Sequence, residues 1–343
     1  MNRHLSAATA AGELDDVAPA WDGDNGHWWD WYMSLAENDT DAAAAGLVDV
    51  AAPDPGALPD DGAVVAELEV PYDVPPGALA AFATDGFVVL PRVVSPGAAE
   101  VLRRRLADLL GVAGTDSGLR AREMLWLEDP LVAAAVLSPR VAGIAAALLG
   151  VGTLRLYHDS ALCKEPGAGR TPWHRDAHHF PPASHDVIST WMPLQPVPAA
   201  MGPLSFARGM ENWRLVEDMP FDKVGTSYDR RVAETLRGAG VAVHEEPFAL
   251  GDVSFHSTLS LHTAGANRTT RPRMVLGATY YADGVRVVDR PTIVSGDWQQ
   301  FVPDTAPGAV AASPRNPAVT GPSTAGHTGA VHSSATHDAV GRP

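Results

Sequence analysis

From about residue 79 onward, apolar and polar positions alternate with two different periods, and the change of period divides the chain. Ala78 to Asp85 suits a helix, and Gly86 then admits a short strand, Phe87-Val88-Val89-Leu90. Val101, Leu102, Leu106, Leu109 and Leu110 recur at helical spacing behind Ser95-Pro96. A hydroxyl N-cap, proline in the first turn and nearby Glu100 mark the start of that helix. A further helical stretch is predicted over about Pro139 to Leu149. After Gly150 the texture becomes short strands divided by Gly and Pro, over 153–163, 187–198, 203–206, 252–256 and 273–282. Many short strands with turn signals predict a sandwich or barrel, here mainly β with flanking helices.

Both ends read differently. Trp28, Trp31, Tyr32 and Leu35 fall on one face of a short helix, near Trp21 and Trp29. Such a stripe docks on the body of a protein more often than it covers a pocket. Residues 51–63 are rich in Pro, Asp, Gly and Ala and read as a connector. From Pro307 small and polar residues dominate without periodicity, which predicts a largely disordered tail over 307–343. The expected organisation is an N-terminal extension (1–75), one barrel domain (76–306) and that tail, without internal repeats.

Composition narrows the function. The 343 residues carry 25 Lys and Arg against 41 Asp and Glu, a formal charge of −16. Phosphate-backbone binding needs a basic footprint, so nucleic acid is excluded as a partner, and an anionic membrane surface is disfavoured. A small-molecule substrate that is neutral or cationic fits this balance. The single cysteine, Cys163, rules out an intramolecular disulfide framework and points to a reducing, cytoplasmic setting. No apolar signal segment follows the N-terminus, and the apolar run Leu131 to Gly152 is broken by Pro139 and Arg140. Oligomeric state is not encoded in any pattern visible here.

The chemistry centres on Thr171-Pro172-Trp173-His174-Arg175-Asp176. In an extended segment His174 and Asp176 point to one side, because side chains alternate with period two. An imidazole and a carboxylate side by side are two of the three ligands of a facial triad, which suits iron(II) because three sites stay open. The third must come from elsewhere. His256 and His262 compete; His262 stands before the turn Gly265-Ala266-Asn267, with Arg273 eleven residues beyond it. A dicarboxylate co-substrate needs a cation near the metal, and Arg offers a two-pronged one. Arg271 is the alternative, but Arg273 opens the longer apolar strand. His158, His178 and His179 have both pocket and ordinary structural readings. His327, His332 and His337 lie in the tail, and Trp126, Trp213 and Trp298 read as core.

Over about Phe82 to Asp283 the chain resembles the phytanoyl-CoA dioxygenase family. The resemblance rests on Asp85-Gly86-Phe87-Val88-Val89-Leu90, Lys164-Glu165-Pro166-Gly167, Trp173 to His178, Gly202-Pro203-Leu204, and Gly251 through His262 to Asn267 and Arg273. It implies a double-stranded β-helix, a jelly-roll or cupin-like barrel, with the metal in its mouth. It also implies that His174, Asp176 and His262 are catalytic metal ligands for Fe(II). Arg273 would bind the distal carboxylate of 2-oxoglutarate, and Lys164 and Trp191 would line the cofactor pocket. Dioxygen would complete the set, with hydroxylation of an unactivated C–H bond of a small molecule as the expected outcome, in a setting such as secondary metabolism. The same chemistry can also desaturate, epimerise or close rings.

Two departures bear on substrate. Arg175 stands where relatives commonly have Gln, and Phe206 to Glu211 lacks a Pro-Gly-Ser-His turn. The carboxylate of Asp176 argues against chlorination, because related halogenases replace it with a small residue. A zinc hydrolase on the same two His and one Asp, or a non-catalytic small-molecule-binding barrel, are the rival readings.

Overall fold

The computed structural model describes residues 46–54, 56–112, 118–178, 180–182, 184–219, 227–290 and 298–321. The Trp21–Tyr32 cluster therefore lies outside the described residues, as do the three tail histidines.

Two of the described α-helices, Ser227–Gly238 and Trp298–Phe301, come late in the chain; the other five lie before residue 150 and share one core. These five are α1 (Asp61–Leu68), α2 (Pro76–Asp85), α3 (Pro96–Leu110), α4 (Pro130–Val136) and α5 (Val141–Leu149). Local chemistry sets their ends. The Ser95 hydroxyl accepts from Ala98 N at 3.2 Å and itself donates to the Glu67 carboxylate at 2.6 Å, so one residue caps α3 and ties it to α1. Gly86 ends α2 with φ +83°, a conformation that costs other residues a clash at Cβ. Glu100 completes no capping box; it pairs with Arg103 and Arg104 one turn on.

The described residues contain eleven strands, interleaved with the helices, which form two antiparallel sheets. The larger runs in the order β1 (Phe87–Leu90), β8 (Val253–Ser257), β5 (Val187–Pro193), β10 (Arg273–Ala282), β3 (Thr153–Lys164) and β11 (Ala318–Thr320), and β2 (Leu119–Glu123) also pairs with β3. The smaller runs β4 (Thr171–His174), β9 (His262–Ala264), β6 (Leu204–Ala207) and β7 (Val243–His244). This is the expected double-stranded β-helix with helices on one side.

Alternation along the strands assigns each face of the large sheet a separate task. Met274, Leu276, Ala278 and Tyr280 of β10 point outward into a core shared with α3 to α5, and the Tyr280 hydroxyl donates to Val136 O at 2.6 Å. Val275, Trp191 and Phe87 point inward and meet Leu204, Phe206 and Ala264 of the small sheet. Arg273, Thr279, Ser189 and His256 share this inward face, which opens onto the site.

Two expectations change. The expected boundary at 75 does not set α1 apart from the body: Val64 and Leu68 of α1 are fully buried in the main core. The segment from Pro307 is not disordered as far as it is described. Its strand β11 pairs with the start of β3, and Asn316, fully buried, donates to Leu156 O and Phe301 O, both at 3.0 Å. The apolar run is broken as expected: the window Pro130–Leu149, long and apolar enough to cross a membrane, is two helices, and 67% of its most apolar stretch is buried inside the fold.

Candidate active site

His174 ends β4 directly opposite His262, the first residue of β9, so the register places both imidazoles at one level. The strand stops there. Asp176 sits in the 3-10 turn Asp176–His178, which Ala177 N anchors to Thr258 O at 2.8 Å. Convergence of His174 and Asp176 thus comes from a turn at the strand's exit and not from alternation along one extended segment. Asp176 Oδ1 lies 3.6 Å from His174 Nε2 and 3.4 Å from His262 Nε2. One donor atom from each of the three residues falls within 4.8 Å of the others.

Hydrogen bonds aim these donors. His174 Nδ1 faces Pro172 O at 2.8 Å and His262 Nδ1 faces Ser260 O at 2.9 Å. A carbonyl can only accept, so each Nδ1 carries the proton and each Nε2 presents its lone pair. The other carboxylate oxygen, Asp176 Oδ2, accepts from Ser189 Oγ at 2.7 Å and from His256 Nε2 at 3.3 Å. Burial pushes the Asp176 carboxyl up, but the surrounding imidazoles of His262, His256 and His174 outweigh it and hold the group well below the usual carboxylate range. Burial, against the pull of Asp176, lowers His174, and burial with the neighbouring His174 lowers His262. An ionised carboxylate and two neutral imidazoles are the protonation states that a divalent metal requires. The donor set therefore fits iron(II).

His256 belongs to the large sheet, across from His262 of the small one, with ring centroids 4.7 Å apart. It contacts the carboxylate through Asp176 Oδ2, outside the group formed by the His174, Asp176 and His262 donor atoms. Ser189 had no signal in the sequence; only the register that sets it opposite His256 reveals it.

A second cluster lies at the other end of the same inward face. Arg273, the first residue of β10, stands directly opposite Lys164, the last residue of β3. Both are buried, and neither is within ion-pair reach of a carboxylate among the described residues. Lys164 Nζ donates to Gly265 O at 3.0 Å and Thr171 Oγ1 at 3.1 Å. Arg273 donates to Gly202 O, its Nε has no partner, and its guanidinium carbon lies 5.4 Å from the centre of the Trp191 ring. Burial followed by the charge of Arg273 drives Lys164 well below its ordinary range, and burial lowers Arg273 to about 10. Two facing buried cations without an anion make a receptacle for a carboxylate. Backbone packing closes its edge: Gly202 has φ +71°, and a Cβ there would collide with Gly265 O. Arg271, the rival of Arg273, is only half-buried and lines a separate depression with Pro53, Gln195 and Phe248.

Trp213 lies near two guanidinium groups, its ring centre 5.4 Å from that of Arg175 and 4.6 Å from that of Arg214. The side chains of His178 and His179 lie outside the described residues. Trp298 is core, as expected.

Solved structures share the architecture. The chain is similar to the non-heme alpha ketoglutarate dependent carbocyclase SnoK from nogalamycin biosynthesis, at 23% identity over 77% of this chain and 100% of that one, TM-score 0.60. It is similar to the epimerase SnoN solved in complex with Fe3+, alpha ketoglutarate and nogalamycin RO, at 24% identity over 76% and 99%, TM-score 0.57. EctD from S. alaskensis, solved with 2-oxoglutarate and 5-hydroxyectoine, matches at 19% identity over 70% and 87%, TM-score 0.56. At such identities the likeness is one of fold. No curated protein sequence matches the chain. The family is settled by sequence: the description of phytanoyl-CoA dioxygenase (PhyH) matches residues 82–275, more than half the chain and a span that holds all three converging donors and both buried cations. The chain belongs to the phytanoyl-CoA dioxygenase family and is a non-haem iron(II)- and 2-oxoglutarate-dependent oxygenase.

Proposed function

We propose that this enzyme hydroxylates an unactivated C–H bond of a small, neutral or cationic organic molecule, in a secondary-metabolic and cytoplasmic setting. The carrying observation is the convergence of His174 Nε2, Asp176 Oδ1 and His262 Nε2 on one point. In this reading these three are the iron ligands, and Arg273 pairs with the distal carboxylate of 2-oxoglutarate. Lys164 adds a second charge beside it, and the Trp191 ring forms a wall. Iron(II), 2-oxoglutarate and dioxygen together supply an oxidant able to take hydrogen from an unreactive carbon.

The protein's own part is positional. Ser189 and His256 hold Asp176 Oδ2 so that Oδ1 faces the imidazoles. The Pro172 and Ser260 carbonyls fix both tautomers. The apolar inward face, with Phe87, Phe206 and Val275, limits water around the reacting carbon. A zinc hydrolase would make no use of the paired cations Arg273 and Lys164, and nothing in the geometry favours it.

Anaerobic addition of iron(II) and 2-oxoglutarate to the apoprotein tests the reading. A visible charge-transfer band is expected in wild type and lost in His174→Ala and Asp176→Ala. It should need far more 2-oxoglutarate in Arg273→Ala. Folded, iron-loaded protein without a band overturns the reading.

A further inference from the structure

The inward row that begins at His256 does not end at the metal donors. His256 is opposite Ser189, Ser189 opposite Thr279, and Thr279 opposite His158. The first three serve the carboxylate, directly or through the 3.2 Å contact between the Ser189 and Thr279 hydroxyls. His158 continues the row two strands beyond Ser189, roughly 10 Å at the usual strand spacing.

His158 is 8% exposed, and its Nδ1 faces Asp159 O at 3.2 Å. That contact puts the proton on Nδ1 and leaves the Nε2 lone pair without a partner among the described residues. Rings frame the imidazole: Phe301 at 5.0 Å, Tyr157 at 5.1 Å and Phe180 at 5.6 Å between centroids. At the end of β2 the carboxylate of Glu123 comes to 4.0 Å from His158 Nδ1, with its side chain 26% exposed. No Lys or Arg lies within ion-pair reach of Glu123 among the described residues. Asp159 is spent on Leu125 N and Trp126 N, both at 3.1 Å, and the Tyr157 hydroxyl is buried without a partner. Burial and the charge of Asp159 push Glu123 up to about 7, and burial pushes His158 down to about 4. This corner offers acceptors and ring faces but no cation. It is the electrostatic reverse of the corner that holds Arg273 and Lys164.

We propose that Glu123 and His158 bind the protonated amine of the substrate, with Phe180 and Phe301 as ring faces beside it, and so set which carbon reaches the metal. A protonated amine donates to the Glu123 carboxylate and to His158 Nε2, and its charge is favoured near aromatic faces. The rest of the molecule lies back along Thr279 and Ser189 toward Asp176. This deepens the oxygenase reading and rests on it for the direction in which the substrate extends.

The test is anaerobic calorimetry on the full chain loaded with iron(II) and 2-oxoglutarate, titrated with 2-phenylethylamine, 2-phenylethanol or phenylacetate. The expected result is amine binding at least about tenfold tighter than alcohol, with phenylacetate weakest, because the ammonium pairs with the Glu123 carboxylate whereas a second carboxylate is repelled by it. In Glu123→Gln, with melting temperature as the check on folding, the advantage of the amine should fall below about threefold. An amine that binds no tighter than the alcohol in wild type overturns the proposal, whether or not any variant folds. A preference undiminished in Glu123→Gln overturns it too. The charge-transfer band of wild type, recorded on the same sample, separates the two readings. A band without amine preference removes this site alone, and amine preference without a band removes the oxygenase chemistry while keeping the amine site.

Discussion

Ser189 and Asp176 are joined Oγ to Oδ2 at 2.7 Å, and this bond decides which carboxylate oxygen faces the imidazoles. Ser189→Ala frees the carboxylate to rotate without removing a ligand. Iron(II) affinity is expected to fall about tenfold, the usual cost of losing a partner behind a metal ligand. Competition against a chromophoric chelator measures it; an unchanged constant would show that His256 alone suffices.

Lys164→Met separates two consequences of one buried charge. Without ligand the variant should be as stable as wild type or more so, because a desolvated cation lacking a carboxylate is removed and the linear chain is kept. With iron(II) bound, half-saturation of the charge-transfer band should need roughly tenfold more 2-oxoglutarate, as expected for losing one charge-assisted contact. Thermal melts and the titration check the two halves independently.

Glu123 gives a pH signature. Its carboxyl ionises near 4.5 when free and is raised to about 7 here, facing Asp159, His158 and Tyr157. A raised acid stabilises the fold in its protonated form, fully below 4.5, and that contribution is lost as pH rises from 4.5 through 7. Glu123→Gln cannot ionise. Its melting temperature relative to wild type should therefore climb between pH 5.5 and pH 8, and an equal difference at both values would contradict the assignment.

Asn316 is fully buried, with its amide donating to two carbonyls and its oxygen accepting from Ser313 Oγ at 2.6 Å. Asn316→Ala leaves those carbonyls without a donor, at about 1–3 kcal/mol for each group left unpaired. Urea unfolding should show a lower midpoint with an unchanged slope.

Much of this was legible in the sequence, for identifiable reasons. Ser95-Pro96 and Gly86 are local signals, and the elements they bound appear where expected. β10 shows as an uninterrupted apolar run because its outer face packs on helices and its inner face lines the barrel. Motif order singled out His174, Asp176, His262 and Arg273, and the fold brings donor atoms of the first three within 4.8 Å of one another. What stayed hidden depends on register between distant strands. Ser189, Thr279 and Glu123 are ordinary residues in their own segments, and only pairing across β8, β5, β10, β3 and β2 brings them to the site. The segment after Pro307 failed differently. Its stabilising contacts are made by Asn316 and the three-residue β11, too short for any periodicity to register.

That same short strand covers part of an edge of the large sheet. β3 is twelve residues long, and on the side away from β10 its backbone would be an open template for another chain. β2 covers Ser160 to Lys164, β11 covers Thr153 to Arg155, and between them Leu156 N donates to Pro317 O while Asp159 O accepts from Met124 N. The border is sealed almost end to end. The last described residues thus act as a guard against edge-to-edge aggregation, and a chain cut at 306 would stay in solution less well than its core stability alone implies.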